Sequence, residues 1–209
     1  LKTGKLWYNT YYRKIFSVFK GYDTKSVSLT KESAAFFLWK KGEAMFKEGD
    51  FIIYGSNGVC QVEHIGSMDL QGVPGDKMYY TLVPVYEEKS RLFTPVDNHK
   101  VVMRPVISKK EACELIDHMQ EMQVFEIQNE KNRDTVFKEA LKTGDCEELV
   151  RVIKTIYEKK QERKAQGKKV TAGDERYFKL AEEHLYGELA IALGIEKDKV
   201  SSYIEKRIA

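Results

Sequence analysis

Cysteine is scarce in this chain: Cys60, Cys113 and Cys146 are its only three, they stand far apart, and none forms a CxxC pair. An odd, sparse set argues against a disulfide scaffold or a zinc site and suits a reducing cytosol. Histidine is almost as rare. His64, His99, His118 and His184 fall in separate elements, none with a Cys, Ser or Asp at the spacing of a triad or metal site. Cys60 and His64 come nearest, yet in a strand they would lie about 13 Å apart at about 3.3 Å per residue. No phosphate-binding loop is present either, because Gly55-x-x-Gly58 and Gly72-x-x-Gly75 lack the following Lys-Ser/Thr and the strand-to-helix setting. They are turns. Near the start the longest apolar run, Ala34 to Trp39, is less than half of the ~20 residues a membrane span needs. The N-terminal stretch also lacks the continuous apolar core of a secretion signal. The expectation is a cytoplasmic protein with no catalytic residues, metal, cofactor, small-molecule substrate or membrane partner.

What is present is charge and pattern. A chain of 209 residues, 42% hydrophobic and 32% charged, has room for two small domains or one medium one and belongs at the charge-rich end of globular proteins. The net charge of +3 conceals an uneven distribution. Residues 1–44 carry nine basic residues against three acids, or +6, which leaves −3 for the remainder. That segment also holds both tryptophans, Trp7 and Trp39, begins without Met and shows no sustained period. It reads as a poorly ordered extension; the sharper alternative is a basic, aromatic arm touching nucleic acid or membrane.

From Glu48 to about Val106 the signal is β. Strand-like runs at 50–54, 59–65, 78–85, 91–96 and 100–104 are separated by Gly/Pro/Asp/Asn clusters such as Gly72-Val73-Pro74-Gly75-Asp76. Five short strands in so few residues predict a small, bent antiparallel sheet or partial barrel. After Pro105 the period becomes helical. Ser108-Lys109-Lys110-Glu111 is a capping box, a second helix runs from near Asn132 to Gly144, and Asp145 caps a third with the stripe Leu149, Val152, Ile153, Ile156 and Tyr157. A fourth begins near Thr171 and ends by Gly194, and a short fifth covers 197–207. The fold class is α+β, with a β domain at 45–106 and a helical domain at 107–209.

The tract Met45-Phe-Lys-Glu-Gly-Asp-Phe-Ile-Ile-Tyr-Gly-Ser-Asn-Gly-Val, followed far downstream by Thr143-Gly144-Asp145 and by Gly187-Glu188-Leu189-Ala190-x-Ala192, resembles the CarD/CdnL family of bacterial transcription regulators. Its first block is shared with the transcription-repair coupling factor. The resemblance covers Met45 to about Arg207 and implies a Tudor-like β domain that docks on the RNA polymerase β subunit through an edge strand. Arg91, Phe93 and Thr94 are the candidates for that contact, in the strand preceding Pro95-Val96-Asp97-Asn98; the plainer alternative is that Phe93 is core. The resemblance also implies a helical surface set against promoter DNA at the upstream edge of the bubble, where some members insert a Trp ahead of an Arg-bearing helix start. Here the tract reads Asn129-Glu130-Lys131-Asn132-Arg133, and no Trp follows Trp39. Basic contacts carry over at Lys131 and Arg133; the wedge does not.

A run from Arg151 to Lys169 holds eight basic residues against Glu158 and Glu162. Alone it reads equally as a solvated helix end and as a phosphate-contacting surface. With the resemblance, Lys160, Arg163, Lys164 and Lys168 become DNA-contact candidates. The expected function is therefore a monomeric regulator that binds polymerase and promoter DNA and modulates open-complex stability. Two alternatives stand: a generic nucleic-acid-binding module, or an adaptor that does not bind DNA. The β region, with six basic residues against eight acids, favours a protein partner for that domain.

Overall fold

The computed structural model describes residues 46–67, 77–87, 90–127 and 129–208, without the side chains of Glu130 and Lys131. The expectations for residues 1–44, the 72–76 turn cluster and the Lys131 side chain lie outside the described residues. Five strands form one antiparallel sheet: β1 (Phe51–Tyr54), β2 (Val59–Ser67), β3 (Met78–Pro84), β4 (Leu92–Pro95) and β5 (Met103–Pro105), in the order β4-β3-β2-β1-β5. The sheet does not close, so β4 and β5 are its two edges, as a partial barrel requires.

Alternation sets the inner face. Ile52, Val62, Tyr80 and Leu82 are fully buried, and Phe46 packs its ring on Tyr80 while its N–H donates to the Tyr80 hydroxyl at 3.1 Å. Between Val62 and His64 the register slips by one residue, so Glu63 bulges out of β2. The turn joining β1 to β2 is a single 3-10 turn, Gly55–Asn57, with Gly58 at φ 67.

Five helices follow: α1 (Lys109–His118), α2 (Glu130–Thr143), α3 (Cys146–Ala165), α4 (Ala172–Leu193) and α5 (Val200–Ile208). Their ends are fixed by local chemistry. Ser108 and Glu111 complete a reciprocal capping box on α1, Asp145 accepts from Glu147 and Glu148 N–H at the head of α3, and Thr171 accepts from Asp174 N–H at the head of α4. Gly194, left-handed at φ 68, stops α4. The helical core gathers Ile116, Phe137, Leu149, Val152, Ala181, Leu189 and Val200.

One expectation about the stripe of α3 is corrected. Tyr157 is 54% exposed, and no residue of α3 beyond Ile156 is buried. The last nine residues of α3, Tyr157–Ala165, therefore run about 13 Å past the core.

Candidate docking edge, basic helix end and the joint between them

β4 is an edge whose side chains split cleanly. Phe93 is 50% exposed, which removes the reading of it as core, whereas Thr94 is 2% exposed and faces inward. The Thr94 side chain is therefore closed to a partner, and its N–H and C=O are taken up by β3. Val96 N–H donates to the Met78 carbonyl at 3.0 Å. Hydrogen-bonded and non-bonded pairs alternate along an antiparallel ladder. By that rule Leu92 and Thr94 bond to β3 opposite Leu82 and Tyr80, and the N–H and C=O of Phe93 point away from the sheet. No strand among the described residues lies beyond β4. Beside this edge, Arg91 donates to the bulged Glu63 at 2.8 Å, and that hydrogen bond and charge raise the pKa of the guanidinium. Both side chains are exposed, so the pair adds little stability and leaves Arg91 presentable.

The basic run from Arg151 divides into two parts with different work. Arg151 lies over the Phe125 ring at 4.1 Å and donates through Nε to the Gln123 carbonyl at 3.2 Å. Lys154 Nζ reaches the carbonyls of Met119 and Gln120 at 3.3 and 2.9 Å, and that of Met122 as well. Thr155 Oγ1 accepts from Phe125 N–H at 2.9 Å. These three residues hold the α1–α2 connection against α3, and Phe125, between Arg151 and Phe137, packs half-buried against the helical core. Beyond them Lys160, Lys164 and Lys168 are exposed. Arg163 donates through Nε to the Lys169 carbonyl at 2.8 Å and so closes the turn after α3. Arg133 is also drawn inward: its side chain is 14% exposed and lies 3.3 Å from the buried carboxylate of Asp174. It links α2 to the head of α4, so among the described side chains the expected phosphate surface keeps Lys160, Lys164 and Lys168 as its exposed members.

The joint between sheet and helices carries charge that the sequence motifs did not announce. Arg104, on β5, and Glu188, on α4 and 1% exposed, pair through Nη1–Oε1 at 2.5 Å and Nη2–Oε2 at 2.7 Å. The same guanidinium donates to the Pro105 carbonyl at 3.1 Å and to that of Gly144. Glu188 also accepts from Ile107 N–H at 3.1 Å and from the Cys146 thiol at 3.1 Å. Burial opposes the charge of Arg104, but the hydrogen bond and attraction from Glu188 prevail and its pKa rises. Burial and the nearby Glu188 charge push the Cys146 thiol well up, so it stays protonated and can donate.

Around this pair the quoted glycines find their reason. A Cβ on Gly144 would stand 2.8 Å from Ile53 Cγ2, and one on Gly187 would stand 2.8 Å from the Tyr86 ring. Tyr86 donates to the Gly187 carbonyl at 3.0 Å, and Lys197 caps its ring at 4.4 Å. The signal that could have found Glu188 is a carboxylate three residues after Leu185 on the apolar face of a helix, with no local partner in sequence.

Among the described residues no helix is long and apolar enough to cross a membrane, and no three His, Cys, Asp or Glu side chains gather as they would around a metal ion. Residues 46–107 match the family model of the CarD-like/TRCF RID domain, a non-catalytic interaction domain, and residues 114–205 match that of the CarD C-terminal domain. The chain belongs to the CarD family, a family of RNA-polymerase-interacting transcription factors.

Proposed function

We propose that this protein docks on the β subunit of RNA polymerase through the β4 edge of a Tudor-like sheet and contacts promoter DNA through the basic end of α3, modulating open-complex stability. The observation that carries the reading is β4 itself. It presents outward-pointing backbone groups and an exposed Phe93, inside the segment that matches the RID domain. An edge of this kind suits strand addition, in which main-chain bonds give affinity and side chains give specificity. Lys160, Lys164 and Lys168 supply a sequence-independent attraction to phosphate, which positions a protein on DNA without reading bases. No catalytic step is required.

The test is retention of purified polymerase by the immobilised full chain. Parent protein retains the β subunit, whereas Phe93→Ala and Arg91→Glu weaken retention, the latter by reversing a charge beside the edge. Parent protein that retains no polymerase overturns the proposal; parental binding by both variants moves the site away from β4.

A further inference from the structure

We propose that Arg104 and Glu188 are positioning residues: their buried pair sets the angle between the β4 docking edge and the basic end of α3, so that both reach one polymerase–promoter complex together. The proposal rests on the function proposed above. Stability alone is a poor reason for this pair, since burying two ions gains less than a well-packed apolar contact of the same volume often does. Geometry is what a bidentate pair adds. Two parallel N–H···O bonds fix separation and plane together, and here they run at 2.5 and 2.7 Å between β5 and α4. The remaining bonds widen the grip. The guanidinium also holds Gly144, between α2 and α3, and Glu188 also holds Ile107 where the chain leaves the sheet.

One ion pair thus ties the last strand, the α2–α3 turn, the exit segment and α4. Any other setting of sheet against helices leaves a buried charge or carbonyl without its partner. Of the neighbouring contacts, Gly58 under His184 and Gly144 against Ile53 are a Gly backbone meeting a side chain, and Tyr86 adds a single hydrogen bond to the Gly187 carbonyl at 3.0 Å; none of them is a two-point fork that fixes separation and plane together. The docking edge lies at the opposite side of the sheet from β5. A small rotation at the joint is therefore enlarged there.

The experiment uses the full chain with Arg104→Met and Glu188→Leu together, an apolar pair chosen to keep the fold. Spin labels at Gln61→Cys and Gln161→Cys, in a Cys113→Ser background, report the distance between sheet and helix end. The parent is expected to give one narrow distance distribution. The double variant broadens or shifts it, keeps β-subunit retention and the DNA affinity measured without polymerase within about twofold, and cuts the effect on open-complex lifetime by about 10-fold or more, because the second contact loses its effective concentration. Arg104→Lys keeps the charge but not the fork, and broadens the distribution likewise; it carries the test if the double variant does not fold. A parental distribution in a folded variant overturns the proposal, as does a broadened distribution with a parental effect on lifetime. Parent protein that binds no polymerase overturns the function proposed above, and the coupling with it. The label distances, which need no polymerase, show separately whether the pair sets the joint.

Discussion

Residues at the joint respond to pH and to side-chain size in ways that follow from their surroundings. His184 packs on Gly58, its Nδ1 is buried without a hydrogen-bond partner, and burial lowers its pKa below the ordinary 6.5, with Glu183 opposing and Lys197 reinforcing the shift. The fold therefore prefers the neutral ring, and the unfolded chain takes up the proton more readily. Stability from this group is complete above about pH 6.5, falls as pH drops from there toward the folded pKa, and is level below it. His184→Gln should remove that part of the acid limb. Urea midpoints at about pH 7.5 and about pH 5.5 check it; an equal drop in parent and variant removes His184 as its source. Gly144 tests packing instead. It sits at φ 60 with Ile53 in the way, whereas Gly167 sits at φ 69 in open space. Gly144→Ala should cost about 2–4 kcal/mol, backbone strain plus overpacking, and Gly167→Ala about 1 kcal/mol, strain alone. Equal costs, measured by denaturant unfolding, would show that the Ile53 contact is slack.

At the scale of elements, the contacts proposed for β4 and α3 can be tested apart from folding. Phe93 is half exposed, so Phe93→Ala should change stability by no more than about 0.5 kcal/mol while weakening polymerase retention. On α3, replacing Lys160 and Lys164 by Ala should flatten the slope of log affinity against log salt by up to about 2 if both touch phosphate. DNA binding across a salt series is the measurement, and a parental slope would return those lysines to plain solvent. Helix positions were legible in the sequence because their causes are local: the Ser108 box, the Asp145 cap and the stripe from Leu149 to Ile156 act within a few residues, whereas the last strand, expected at 100–104, pairs with β1 only at Met103–Pro105. The phase of β4 was not legible either. Arg91, Phe93 and Thr94 alternate whichever way the strand faces, and only the register with β3 turns Thr94 inward. The fate of cations was hidden for a similar reason, since Arg133, Arg151 and Lys154 find acceptors on other elements that no spacing along the chain reveals. Tyr157 kept helical spacing after the core it was expected to meet had ended.

For the whole molecule the question is whether sheet and helices fold as one. Each has its own apolar centre, Tyr80 and Leu82 in the sheet, Phe137 and Leu189 among the helices, and a sheet of this size is marginal alone. Phe46–Ala209 nevertheless forms one compact unit, because the joint buries Arg104 and Glu188 together and seats Gly144 and Gly187 against Ile53 and Tyr86. Cutting the chain after Val106 leaves Arg104 without its carboxylate and Glu188 without its guanidinium. Removing one partner of a buried pair costs about 3–5 kcal/mol, a large share of the about 5–15 kcal/mol that holds a domain folded. The prediction is that residues 45–209 melt in a single transition whose calorimetric and van't Hoff enthalpies agree. Residues 45–106 alone should melt far lower or show no cooperative transition. The same comparison settles how docking must be assayed, since weak polymerase binding by an isolated sheet would then report its instability and not the absence of a site. Two separable transitions in residues 45–209, with the isolated sheet matching one of them, would show instead that the pair joins two finished domains without stabilising either.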